Sequence, residues 1–413
     1  MRARWIAVVV VVVVAVGVGA FFAGRASDNG TVTTPTVPIT VSAPSFQPVS
    51  VTFVSTTTGW VLGTQKCSSG ACLTMLQTTD QGRTWSPRHL PSALTAAADA
   101  ATPQGMAASY SMIGGLNVRF ADPANGWIYG SVATANPASG TGVVFVPVLW
   151  STHDGGVAWH RQPLGWVGGF GTVFDVEAAA GTVHMMAPDT SGGVTVESSP
   201  VGSDHWRATS AVHLGLPGGG GTPSGTFVLH GDRGWLVVGN GRGTSGSAQL
   251  TSAGTWVAWT PPCSSVGDSF SAPVAVTSSD LVAGCTMGGF AQSLSSAAPP
   301  GATLGSTWLY FSRDGGQSFA HGPELGTERQ FYDYSVLAAP TVSAILMGRG
   351  TYPGQLVASF DNGSHWGAVY PAQPSYLAFT TPTQGVALVQ VSGSSSVMIM
   401  TFDGGRHWAK VAF

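Results

Sequence analysis

Three features of the 413-residue sequence predict an all-β fold. An octapeptide of the form Ser/Thr-x-Asp-x-Gly-x-x-aromatic recurs along the chain, strand-turn-strand patterns alternate with it, and nothing beyond an N-terminal apolar run sustains a helical period. Together they predict a seven-bladed β-propeller of four-stranded antiparallel blades over residues 49–413, preceded by one N-terminal transmembrane helix within residues 1–25 and a linker over 26–48.

The octapeptide sets the count. Its copies are "TTDQGRTW" (Asp80, Gly82, Trp85), "THDGGVAW" (Asp154, Gly156, Trp159), "SRDGGQSF" (Asp314, Gly316, Phe319), "SFDNGSHW" (Asp361, Gly363, Trp366) and "TFDGGRHW" (Asp403, Gly405, Trp408). Asp361 and Asp403 stand 42 residues apart, whereas Asp154 and Asp314 stand 160 apart. That gap holds two degenerate copies, "SSPVGSDHW" ending at Trp206 and "TSAGTWVAW" ending at Trp259, which brings the total to seven. A second element gives the same number: "VTFVSTTTGWVLG", "VRFADPANGWIYG", "LHGDRGWLVVG" and "LAFTTPTQGVALV", with weaker forms at "FDVEAAAGTVHMM", "VAVTSSDLVAGC" and "YSVLAAPTVSAILMG". Strand, turn, strand, loop, strand, octapeptide, strand is one propeller blade.

Each octapeptide residue has a local task. The chain must reverse between the third and fourth strands, where an Asp carboxylate can accept turn N–H groups and Gly supplies positive φ. The aromatic starts the fourth strand and can pack beneath the turn, contributing about 2 to 3 kcal/mol. Calcium takes six to eight oxygens and glycosidic chemistry needs two facing carboxylates, whereas a repeat distributes its aspartates around a ring. These aspartates are therefore expected to be structural, with no catalytic residue, no metal and no cofactor.

Composition limits the partners. Charged residues make up 8%, against roughly one quarter in an ordinary soluble protein. A formal net charge of -3 offers no field for phosphate backbones, so no nucleic acid is expected. Arg2 and Arg4 precede an uncharged run from Trp5 to Gly24, long enough to cross a bilayer as a helix. They keep the N-terminus cytoplasmic and send the rest outward; a cleaved signal ending at Ala20 would instead release it. In an oxidising compartment the four cysteines are expected to form two local disulfides, Cys67 with Cys72 and Cys263 with Cys285, out of three possible connectivities. The Ser/Thr/Pro-rich linker has too little apolar content to pack.

The octapeptides ending at Trp85, Phe319, Trp366 and Trp408 resemble the Asp-box, or bacterial neuraminidase repeat. Paired with the Phe-x5-Gly-Trp element at Phe53 to Trp60 and Phe120 to Trp127, the chain resembles the exported seven-bladed propellers related to photosystem II assembly and stability factors. The resemblance implies a non-enzymatic propeller that binds or assembles another envelope or membrane protein, as a monomer, with a glycan as an alternative ligand. The rival is an exported sialidase-like or other glycoside hydrolase. Sialidases carry an Arg-Ile-Pro motif, which this sequence lacks, and although Arg119 precedes Phe120 on a first strand, the sequence assembles no arginine triad or Tyr/Glu pair around it.

Loop length separates the two propeller faces. The Gly-Trp turns and octapeptides share one, so the long irregular segments fall on the other, where recognition is usually built. "GPELGTERQFYDYS" gathers Glu324, Glu328, Arg329, Phe331, Tyr332, Asp333 and Tyr334 in a chain otherwise poor in charge. Aromatics beside Arg favour interface anchors, making this segment the candidate partner-binding loop.

Overall fold

The computed structural model describes residues 46–68, 70–95, 115–135, 143–168, 171–209, 214–215, 224–240, 243–262, 269–270, 273–286, 307–326, 336–350, 354–392 and 395–413. The expected transmembrane helix lies outside them. Among the described residues no helix is long and apolar enough to cross a membrane.

Seven antiparallel sheets follow one another along the chain. Blade 1 contains β1 (Phe46–Phe53), β2 (Gly59–Cys67), β3 (Gly70–Thr78) and β4 (Ser86–Arg88). Phe46–Pro48, assigned to the linker from sequence, pair with Gly63–Gln65 as the start of β1. Blade 2 is β5 (Asn117–Phe120), β6 (Gly126–Ala135), β7 (Val143–Thr152) and β8 (His160–Arg161). In blade 3, β9 (Asp175–Ala179), β10 (Thr182–Pro188), β11 (Gly193–Pro200) and β12 (Arg207–Ala208) are joined by β13 (Leu214–Gly215), which also pairs with β11. Blade 4 runs through β14 (Ser224–His230), β15 (Arg233–Asn240), β16 (Gly243–Leu250) and β17 (Trp256–Ala258). The first position of blade 5 is shared by β18 (Ser269–Phe270) and β19 (Val274–Ala275), ahead of β20 (Leu281–Thr286), β21 (Thr307–Ser312) and β22 (Ala320–Gly326). Blades 6 and 7 are β23 (Leu337–Ala338), β24 (Ile345–Arg349), β25 (Gln355–Ser359), β26 (Gly367–Tyr370), and β27 (Pro374–Phe379), β28 (Gly385–Ser392), β29 (Ser395–Thr401), β30 (Ala409–Lys410).

The Phe-x5-Gly spacing has a steric cause. Phe53, Phe120 and Phe379 pair across their hairpins with Gly59, Gly126 and Gly385, and a Cβ on each glycine would meet the facing ring at 2.5 to 2.6 Å. The ring lies flat over the opposite backbone, so glycine is required there. The same rings meet Trp85, Trp159 and Trp408 edge-on, at 6.2 to 6.3 Å. This ties the two sequence elements of one blade together.

The two turns also join directly. Gln81, Gly155, Gly315, Asn362 and Gly404 each donate a backbone N–H to the first turn of their own blade, at Thr57, Ala124, Ser279, Ser343 and Thr383 respectively. Both kinds of turn therefore share a face, as the sequence predicts.

Stability resides between the blades. Seven apolar clusters occur among the described residues, one at each seam of the ring. At the seam of blades 1 and 2, Trp60 stacks on Phe120 with ring centroids 3.7 Å apart. The ring shuts where Phe46, Val51 and Val61 pack on Val386, Met398 and Met400, with Ser396 bonding Gln47 and Pro48. Every blade is a contiguous piece of chain, so closure uses side-chain packing and these bonds, without an exchanged strand.

Truncating Trp60 to Ala should destabilise the propeller by about 3 to 5 kcal/mol in a denaturant titration, because the fully buried ring belongs to two blades. A loss below about 1 kcal/mol would contradict the seam as the seat of stability.

Candidate functional site

The first strands of the blades face the ring's centre. Residues of β5, β9, β14, β19, β23 and β27 line a cavity of about 580 Å3, within the range of small-ligand sites. Alternation along each strand decides what enters it. In β5, Val118 and Phe120 are buried in the seam while Arg119 lines the cavity. In β9, Asp175 and Glu177 share a face.

These residues converge. Arg119 of blade 2 forms an ion pair with Glu177 of blade 3, and Tyr376 of blade 7 lies close enough for its phenol to feel the Arg119 charge. Tyr129 donates its hydroxyl to Asp175 Oδ1 at 3.0 Å. Asp175 also accepts the Val176 N–H, the Phe227 N–H and the Thr226 hydroxyl. Burial raises Glu177 to about 7, against the pull of Arg119 and helped by the neighbouring Asp175 charge. Burial opposes the charge on Arg119, but Glu177 keeps it protonated above its ordinary range. The phenols of Tyr129 and Tyr376 are also raised by burial. The opposite wall is apolar, including Val274, Ala275, Leu337, Ala338 and Leu377.

Of this group, sequence reasoning singled out Arg119 alone. The missed signal was modest: in a chain with 8% charged residues, an Arg and a Glu stand at inward positions of two first strands.

The five octapeptides occupy the turns between third and fourth strands with one shared geometry. The hydroxyls of Thr78, Thr152, Ser312, Ser359 and Thr401 donate to Asp80, Asp154, Asp314, Asp361 and Asp403, each at 2.8 Å. The same hydroxyls accept the N–H of Gly82, Gly156, Gly316, Gly363 and Gly405. Each carboxylate also takes the N–H four residues on, at 2.9 to 3.0 Å. Both residues after the Asp have positive φ, 68° and 80° at Gln81 and Gly82, which accounts for a left-handed Asn362 as well. Trp85, Trp366 and Trp408 donate their indole N–H to the turn glycine's carbonyl; Trp159 donates to His89, and Phe319 packs near Trp259. None of the five aspartates lines the central cavity.

The degenerate copies depart from this pattern. In blade 3, Asp204 accepts the Ser151 hydroxyl of blade 2 and faces His153 Nε2 at 3.4 Å. In blade 4 the turn closes early through Thr251 and Thr255, so fully buried Trp256, rather than the expected Trp259, heads the fourth strand. Trp259 instead donates to Gly316 O of blade 5 at 2.7 Å.

In the candidate partner-binding segment, Glu324 lies on β22 opposite Trp308, so this part is strand and not loop. Glu328, Arg329, Tyr332, Asp333 and Tyr334 lie outside the described residues. Cys67 and Cys72 are disulfide-bonded across the β2–β3 hairpin. Cys285, buried in β20, is also disulfide-bonded, and its expected partner Cys263 lies outside the described residues. No group of three or more metal-ligating side chains occurs among the described residues.

No protein-family model matches the chain, and no curated protein sequence does. Solved structures match its fold. A YCF48 protein bound to a D1 peptide is 18% identical, with 87% of this chain and 92% of that chain covered at a TM-score of 0.50. YCF48 from Cyanidioschyzon merolae is 15% identical, with 87% and 96% covered at 0.51. A polysaccharide lyase of the ulvan lyase type is 11% identical, with 89% and 96% covered at 0.50.

The turn carboxylates give an acid-side test. Hydrogen bonds led by the side chains of Thr84, Ser318 and His365 lower Asp80, Asp314 and Asp361 from 3.8 to about 2. Folded pKa values below the unfolded ones mean a contribution complete above 3.8 and lost as pH falls toward 2. The thermal midpoint followed by circular dichroism should drop across that window, and less steeply in Asp361→Asn. A midpoint flat through it would contradict the assignment.

Proposed function

We propose that this propeller is a non-enzymatic binding scaffold that holds a segment of another envelope or membrane protein on the extracytoplasmic side, anchored through residues 1–25. The octapeptides are read as Asp-boxes that close hairpins and touch no ligand. One observation carries the proposal. The central cavity combines an apolar lining with a polar patch in which Arg119 pairs with Glu177 beside Tyr376, and Asp175 takes four donors. Such a surface suits recognition, because it fixes orientation through a few polar groups while burying apolar area. The YCF48 protein of the same fold has been solved with a bound peptide, the ligand class assigned here.

A glycoside hydrolase is the second reading, and one observation favours it. Asp175 and Glu177 share a strand face beside Arg119 and Tyr376, and an acid raised to about 7 has the protonation of a general acid. Against it, Asp175 spends its oxygens on protein donors, which leaves no second carboxylate free to attack or to activate water.

Affinity capture from native-host membranes with the full-length chain should retain a protein partner, and the capture should weaken when Leu337 of the cavity lining is replaced by a polar residue. A panel of aryl glycosides should give no turnover. Turnover that disappears in Glu177→Gln would instead establish the hydrolase.

A further inference from the structure

We propose that the central cavity receives an ammonium or guanidinium group on an apolar stem, the side chain of a lysine or arginine presented by the partner, and that Glu177 is its receptor. This names the chemistry of the site above and rests on the binding reading.

Among the described residues, Arg119 and Glu177 are the two charged residues lining the cavity, and Asp175 stands two positions before Glu177 on the same strand. One guanidinium therefore serves two carboxylates. Away from bulk water an uncompensated negative charge is costly, and the local answers are protonation or a second cation. Among the described residues, the groups facing Glu177 are Arg119 from β5, Asp175 from its own strand, and Tyr129 and Tyr376 from β6 and β27, with Arg119 the one cation of that set.

The two carboxylates differ in what remains to them. Asp175 accepts from Tyr129 at 3.0 Å, Val176 N at 2.9 Å, Phe227 N at 2.8 Å and Thr226 at 3.2 Å, which accounts for its lone pairs. Glu177 is paired with Arg119 through Oε1, and so retains acceptor capacity. Burial, with the neighbouring Asp175 charge, raises Glu177 to about 7 against the pull of Arg119.

The cavity also fits the rest of such a group. Val274, Ala275, Leu337 and Ala338 offer an apolar surface to a methylene stem. Tyr376 lines the same space, and an aromatic ring attracts a desolvated cation. An incoming carboxylate would meet two negative groups and a guanidinium already engaged.

Calorimetric titration of the full chain with hexylammonium tests this directly. Binding is expected at about pH 8 and more than about tenfold weaker near pH 5.5, with up to about one proton released per cation in between. Glu177→Gln should abolish it, while hexanol and hexanoate should not bind. A capped lysine-containing peptide should compete where its norleucine counterpart does not, which assigns the cation to a protein side chain; competition by both peptides or by neither would overturn that source. If Glu177→Gln fails to fold, the buffer dependence of the wild-type binding enthalpy reports the same proton. Hexylammonium binding that survives in a folded Glu177→Gln chain, a preference for hexanoate, or no hexylammonium binding at millimolar concentration would overturn the proposal. Partner capture that persists in those cases leaves the scaffold reading standing, whereas its absence removes both.

Discussion

The apolar seam between neighbouring blades is the interaction on which the rest depends. A four-stranded sheet of this size exposes two faces to be covered, and each blade covers them with its two neighbours. Seven clusters at seven seams carry the large buried side chains, among them Trp60, Trp127, Trp235 and Trp256. Because burial is placed between blades, the turns, the crossings and the inner strand edges are released from core duty. Chemistry can then vary at the centre without loosening the ring.

The aspartate turns are the second device, and they are modular. Each one gathers its carboxylate's donors from within eight residues and ties the turn to its own blade's first hairpin. Blades 3 and 4 depart from this pattern. Where the aspartate is displaced, Asp204 reaches across to Ser151 of blade 2; where the turn is shortened, Trp256 fills the seam and Trp259 crosses to Gly316. Local hydrogen bonds are exchanged for bonds between blades, and the hairpin still closes.

This division explains what could be read in the sequence. The Phe53–Gly59 and Phe120–Gly126 pairs are hairpin neighbours, and each octapeptide carboxylate takes donors from its own turn, so spacing alone reveals blade number and strand order. The central group is different. Arg119, Glu177 and Tyr376 come from blades 2, 3 and 7, and only ring closure brings them together. No local pattern announces a pair formed across 58 positions, or across the 257 that separate Arg119 from Tyr376. Boundaries were the other weak point. Phe46–Pro48 and Glu324 sit in polar, proline-bearing stretches that resemble loop, yet both are held in strands by backbone pairing, with Gly63–Gln65 and with Trp308.

Contiguous blades have a topological consequence. Phe46 and Phe413, at opposite ends of the ring's sequence, bring their rings to 4.6 Å, and neither end contributes a strand to the other's sheet. The propeller therefore has no obligatory starting blade. Joining these ends and reopening the chain at another crossing would give a circular permutant with all seven sheets intact, in which the seam lacking a covalent crossing has moved elsewhere around the ring.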